Sequence, residues 1–229
     1  MNSNHDQTAT HAREISRTFQ ALIDKAPDEE GQHGETSAHS TDYRAISSAT
    51  GMPKRYRPDW PRPCDATWTE NFRKVMAAVR SGAIIALIGN RGTGKTRLAA
   101  EAARNFAPAH SSYTTAMGLF LRIRATFGKK KGGESEDSIV NELSKSPLLV
   151  LDEVQERGNT PWEDRLLTHI LDRRYGAMLP TGVIANLTES ALIECLGDSI
   201  VSRLEEGGGI LEITGPSHRS QNEEQQTLL

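Results

Sequence analysis

The sequence predicts an α/β fold, a three-layer sandwich in which a parallel β-sheet is flanked by helices on both faces. Three observations predict it. Between residues 65 and 216, short apolar runs alternate with stretches of helical periodicity, the rhythm of strand–helix–strand units. The runs AIIALI (83–88) and PLLVLDE (147–153) are apolar at consecutive positions, as strands covered on both faces are. The first of them ends in a glycine-rich turn that leads directly into a helical stretch.

Taken in order, residues 12–26 (AREISRTFQALIDKA) place Ile15, Phe19, Leu22 and Ala26 on one face at helical spacing. Residues 27–42 are polar and acid-rich, with Gly31 and Gly34, and read as a flexible linker. TGMPKRYRPDWPRP (50–63) carries four prolines and the cations Lys54, Arg55 and Arg57, the composition of an extended connector. Asp65 or Thr67 caps a helix with Trp68, Phe72, Val75, Met76 and Val79 on one face, closed by Gly82. Strand 83–88 and a helix over 95–106 follow, then a strand or turn near 111–114 and a helix around 115–127. A lysine- and glycine-rich loop (128–133) precedes a helix near 136–144 and strand 147–153. A long helix near 162–175, strand 180–186, helices near 188–195 and 198–204, and strand 209–214 complete the series. The expected organisation is an N-terminal partner-binding helix and linker (1–49), a connector (50–64), a catalytic domain (65–216) and a polar tail (217–229).

Composition narrows the functional classes. Apolar residues make up 36% of the chain, low enough that part of its length packs into no core. With 27 Lys+Arg against 30 Asp+Glu and a formal charge of −3, nucleic acid is not bound by bulk attraction and needs a local patch. Cys64 and Cys195 lie far apart without a metal-type neighbourhood, and no two of the seven histidines stand at ligand spacing. No apolar run approaches a membrane span and the N-terminus is too polar for a signal peptide, so a cytoplasmic protein with no membrane partner is expected.

Gly89-Asn90-Arg91-Gly92-Thr93-Gly94-Lys95-Thr96, followed by Arg97, matches G-x-x-x-x-G-K-[ST] in full, between an apolar strand and a helix. Glycines let the backbone curl so that successive N–H groups face phosphate oxygens, and the helix N-terminus adds partial positive charge. Lys95 is placed to reach the β- and γ-phosphates of ATP, and the Thr96 hydroxyl to ligate Mg²⁺. Leu148–Glu153 is a buried-type strand ending in two carboxylates, at the edge where ligands bind in open α/β sheets. Asp152 would hold Mg²⁺ through water, and Glu153 would polarise the attacking water. Asn186 ends the next strand, either as a turn residue or as the group that orients that water. Arg203 lies on a short helix, either as a surface arginine or as a finger completing a neighbour's site. Arg122, Arg124, Lys129, Lys130 and Lys131 put five cations within ten residues, flanked by Tyr113, Phe120 and Phe127. That stretch is either a solvated face or a surface for single-stranded DNA, neutralising backbone and stacking on bases.

TGMPKRY (50–56), GNRGTGKT (89–96), LLVLDEV (148–154), ILDRRYGAMLPTGVIANLT (170–188) and RLEEGGGILEITGPSHR (203–219) resemble the DnaC-like helicase-loader family of AAA+ proteins. That family shares its ATPase core with the IstB transposition regulators. The resemblance implies a P-loop AAA+ ATPase in which Asn186 is the sensor-1 residue and Arg203 the arginine finger. It implies that the helix at 115–127 contacts single-stranded DNA, that copies self-associate through the ATP site, and that the N-terminal segment meets a replicative DNA helicase. One departure stands out: Ser199 occupies the place, four residues before the finger, where the family usually carries another arginine. The leading expectation is an ATP- and Mg²⁺-dependent protein that helps load a replicative helicase. Two alternatives are an IstB-like ATPase assisting a transposase on DNA, and a non-hydrolysing adapter that binds ATP as a structural ligand. The carboxylate pair speaks against the adapter, because a scaffold has no use for Glu153.

Overall fold

Helix starts follow from side-chain caps written into the sequence. In the computed structural model, which describes residues 51–53, 56, 65–108, 110–128 and 133–216, the Asp65 carboxylate accepts the Trp68 amide at 2.7 Å and opens α1 (Ala66–Arg80). Of the two expected N-caps it is therefore Asp65, not Thr67, that starts the helix. Thr115 caps α3 (Ala116–Arg124), and Thr188 caps α6 (Glu189–Leu196). Ser135 and Thr160 form reciprocal capping boxes with Ser138 and Glu163 at the heads of α4 (Glu136–Lys145) and α5 (Pro161–Gly176). By contrast α2 (Lys95–Phe106) begins on Gly94 with no side-chain cap and no acidic residue in its first turn, whereas the other helix without a side-chain cap among the described residues, which starts after Gly197, has Asp198 there. The positive end of α2 is left open to a ligand. The last helix, α7 (Asp198–Glu206), follows α6 after Gly197.

Among the described residues, five strands form one sheet: β1 (Ile84–Ile88), β2 (Ser111–Thr115), β3 (Leu148–Asp152), β4 (Thr181–Ile184) and β5 (Ile210–Glu212). Their order is β2-β3-β4-β1-β5 and every pairing is parallel. Side chains alternate between faces, so β1 sends Ile85 and Leu87 to one side and Ile84, Ala86 and Ile88 to the other. The first side packs on α1 and α2 through Val75, Val79, Leu98 and Ala102. The second packs on α3 to α7 through Phe120, Ile123, Leu143, Ile170 and Leu204. Each fully buried aliphatic chain contributes roughly 1.5–3 kcal/mol, and two such layers make the sheet the rigid platform of the molecule.

The segment expected to be a bare connector takes part in this packing. Met52 is buried against the α1/α2 layer, and Arg104, ion-paired to Glu101 at 2.8 Å, donates to the Tyr56 carbonyl at 3.0 Å. The helix expected over 115–127 ends at Arg124, and residues 125–128 form turns. Among the described residues, no helix is long and apolar enough to cross a membrane. The N-terminal helix expected at 12–26, its linker and the tail after 216 lie outside the described residues.

Candidate functional site

The site is assembled by strand order. Because β4 lies between β1 and β3, the C-terminal ends of these neighbours carry the Gly89 turn, Asn186 and the Asp152–Glu153 pair along one edge of the sheet. Three residues distant in sequence become neighbours through two parallel pairings.

The turn after β1 is built on glycines. Gly89, Gly92 and Gly94 have φ of 124°, 88° and 95°, in the region that favours glycine. At Gly89 a Cβ would stand 2.4 Å from the Ile213 carbonyl oxygen, so a side chain there would push β5 away from β1. Thr93 is buried and its hydroxyl donates to the Asn90 carbonyl at 3.0 Å, which tightens the loop. The Lys95 ammonium lies across the loop, donating to the carbonyls of Gly89 at 2.8 Å and Asn90 at 2.7 Å. Arg91 is exposed and pairs with Glu156 at 3.0 Å, linking this loop to the one after β3. Arg97, the third residue of α2 and next after Thr96, is buried. Curled amides, an uncapped helix start and a lysine at the mouth suit a polyphosphate.

At the end of β3, Asp152 is 5% exposed and its carboxylate is held from three sides. Oδ2 accepts the Thr96 hydroxyl at 2.8 Å and the Tyr113 hydroxyl at 2.9 Å, while Oδ1 accepts the Glu153 amide at 2.8 Å. Burial first, and the Asp152 charge second, push the Tyr113 phenol above its ordinary range, so it stays a donor. A hydroxyl and a carboxylate in contact are hard oxygen donors of the kind Mg²⁺ takes alongside phosphate, so the residues present fit that ion. Glu153 has φ of 54°, the left-handed region that a glutamate rarely adopts. Such a conformation costs of order 1–3 kcal/mol and concentrates at working sites. The Asn186 backbone N–H meets the same loop, donating to the Gln155 side-chain oxygen at 3.3 Å.

Arg203 stands apart from this edge. Its Nε lies 2.9 Å from Asp172 Oδ1, its guanidinium rests 5.6 Å over the Tyr175 ring, and Nη1 donates to the Ser199 hydroxyl at 2.9 Å and to the Ser199 carbonyl. The departure at Ser199 thus has a local consequence: a like charge one turn away is replaced by an acceptor.

The basic stretch is less basic than its sequence. Arg122 donates to Glu134 at 3.1 Å and Glu142 at 3.2 Å, and these bonds raise its pKa further. Arg124 pairs with Glu163 at 2.9 Å and lies 5.8 Å over the Trp162 ring. Phe120 is a core residue, 1% exposed and packed on Trp162, so it has no face left for a base. Tyr113 is engaged with Asp152, which leaves Phe127, 57% exposed, as the flanking aromatic open to solvent. Lys129, Lys130 and Lys131 lie outside the described residues.

Sequence reasoning missed Tyr113 as a partner of Asp152 and Asp172 as the partner of Arg203. The first had a signal, since β2 ends beside β3 in a parallel sheet. The second depends on how α5 and α7 cross, which no local pattern encodes.

Residues 61–226 match the family model of the IstB-like ATP binding protein. The chain belongs to that family. The replicative helicase loader DnaC of Escherichia coli K12 is 29% identical over 124 residues, 53% of this chain and 50% of that protein. The chain thus spans about half the length of the curated relatives it matches. A crystal structure of the DnaC helicase loader superposes with a TM-score of 0.57 at 22% identity, over 71% of this chain and 100% of that one. AMPPCP-bound DnaA from Aquifex aeolicus gives 0.58 at 21% identity, over 77% and 56%. The fold is the P-loop sandwich of AAA+ proteins expected above.

Proposed function

We propose that this chain hydrolyses ATP with Mg²⁺ and uses the cycle to help place a replicative DNA helicase on single-stranded DNA. The observation that carries the ATPase half is the Thr96–Asp152 bond, which brings the two motif ends together with Glu153 next in the chain. The helicase half is supported by the likeness to DnaC, a replicative helicase loader. Lys95 would leave the loop carbonyls for the β- and γ-phosphates as the Gly89–Gly94 amides take up the remaining oxygens. Thr96 and Asp152 would hold the ion, whose contribution is to neutralise phosphate charge. Glu153, its backbone already committed to the turn, would take a proton from the attacking water, with Asn186 orienting that water. Arg203 of a neighbouring copy would meet the charge that develops on the γ-phosphate, an effect worth about 10³-fold or more where fingers act. Assembly through the ATP site would therefore follow nucleotide state. Lys129, Lys130 and Lys131, with Phe127, are the groups left to meet DNA beyond α3, and residues 12–26 the segment to meet the helicase.

The family match itself favours a second reading, an IstB-like ATPase serving a transposase on DNA. The chemistry of the site is common to both. It is tested by two substitutions with different expected effects. Lys95→Ala loses ATP binding, whereas Glu153→Gln binds ATP and accumulates in the assembled state, read by fluorescent nucleotide titration and light scattering. Equal loss of affinity in both variants would remove Glu153 from its hydrolytic role.

A further inference from the structure

We propose that Tyr113 is a positioning residue for the Asp152 carboxylate, its hydroxyl setting how tightly the site takes Mg²⁺ in the presence of ATP. The inference rests on the reading of Thr96 and Asp152 as the magnesium side of the site. In the β2–β3 register Thr115 stands opposite Asp152 and Tyr113 opposite Val150, so Tyr113 and Asp152 project from the same face one pleat apart. That spacing lets a long phenol reach what a shorter side chain would miss, and its oxygen sits 2.9 Å from Asp152 Oδ2.

The ring itself is anchored. Tyr113, like Tyr56, packs against the α1/α2 layer, and Gly51, with φ of 68°, passes so close that a Cβ there would lie 2.7 Å from the Tyr113 carbonyl oxygen. The residue is therefore placed by the packing of its ring and the close approach at its backbone, independently of the Thr96 hydroxyl. This matters because the terminal torsion of an aspartate is broad and two-fold, so donors and not sterics decide which way the carboxylate faces. Three donors fix it here: the Glu153 amide on Oδ1, and Thr96 and Tyr113 on Oδ2. Thr96 cannot serve as an independent brace, since its oxygen is the group offered to the cation. Tyr113 is the donor on Oδ2 that owes nothing to the ligand.

Partners that orient metal-site groups typically cost 10–100-fold in metal affinity or activity when removed. Asp152 acts through its contact with Thr96 and through water, so the low end applies and Tyr113→Phe is expected to raise the half-saturating Mg²⁺ concentration about tenfold. The measurement uses the full chain, a fluorescent ATP analogue and a magnesium titration, with the same nucleotide titrated in EDTA. For Tyr113→Phe the EDTA affinity and the melting temperature should match the unsubstituted chain, while the magnesium midpoint moves. A midpoint unchanged within twofold overturns the proposal and leaves the tyrosine a packing residue. Parallel loss of nucleotide affinity in EDTA overturns it too, because the effect would then lie in the loop and not the ion. If the unsubstituted chain binds nucleotide with no dependence on magnesium, the reading of Thr96 and Asp152 fails first and this inference with it.

Discussion

Replacing Arg174 by methionine removes a charge that this fold buries completely. Arg174 is 0% exposed, and its acceptors among the described residues are the hydroxyl of Thr181 at 2.7 Å and the carbonyls of Leu143 at 2.6 Å, Ser146 at 2.8 Å and Pro180 at 2.7 Å. None is a carboxylate. The reason the chain needs a donor here is local: the helical partner of the Leu143 carbonyl would be residue 147, which is a proline and has no N–H. Burial pushes the guanidinium down to about 10, so it remains charged at neutral pH. Methionine keeps most of the volume and removes the donors. The Pro180 carbonyl still receives the Leu149 amide at 3.3 Å, which leaves chiefly the Leu143 and Ser146 carbonyls stranded. At about 1–3 kcal/mol for each unsatisfied buried group, the loss comes to roughly 4 kcal/mol. For a domain of this size, about 2–4 °C per kcal/mol translates that into a melting temperature lower by about 8–16 °C. Circular dichroism at the helix band reads it, with Arg173→Met, one residue away on the exposed face, expected to stay within about 0.5 kcal/mol. A drop of less than about 2 °C for Arg174→Met would refute the argument that this arginine substitutes for missing backbone donors.

Two further outcomes follow from the site. Arg203→Ala should bind ATP normally and hydrolyse it poorly, and mixing it with Lys95→Ala protein should restore part of the turnover. No recovery at any ratio, with mixed assembly verified by crosslinking, would mean that Arg203 does not act across subunits. On single-stranded DNA, replacing Lys129, Lys130 and Lys131 by serine should flatten the salt dependence by about 2 in log–log slope, at about 0.7 per contact. Arg122→Ser with Arg124→Ser should change it little, since both arginines already pair with glutamates. Equal effects of the two sets would show that those ion pairs open on DNA.

Much of the architecture was legible because it is local. Consecutive apolar residues gave β1 and β3, and Gly94 followed by Lys95-Thr96 marked the start of α2 to the residue. The site edge was legible because motif spacing implies strand ends, and a parallel sheet puts strand ends together. What failed did so for two reasons. Phe120 was read as a flank of the basic run, although Ala116, Leu119, Phe120 and Ile123 already spell a core stripe at helical spacing. Arg174 carries the same kind of signal, an arginine three residues after Leu171 and four after Ile170 on the buried face of α5. The partners of Arg122, Arg124 and Arg203 were hidden for a different reason. Glu142, Glu163 and Asp172 reach them through the crossing of helices, which is decided by packing over the whole second layer, and Glu134 from the segment just before α4.

The most direct test of the central claim is helicase loading on a closed circle of single-stranded DNA, which excludes entry at an end. The replicative helicase encoded by the same genome is mixed with the circle, ATP and Mg²⁺, with the full chain or with residues 43–229. Helicase retained on the DNA after gel filtration is then measured. The account predicts retention with the full chain and ATP, none without nucleotide, and loss of retention for residues 43–229 while their ATP hydrolysis stays near normal. Retention no greater with the full chain than without it, together with stimulation of a transposase encoded beside it, would contradict the account and leave the transposition reading in its place.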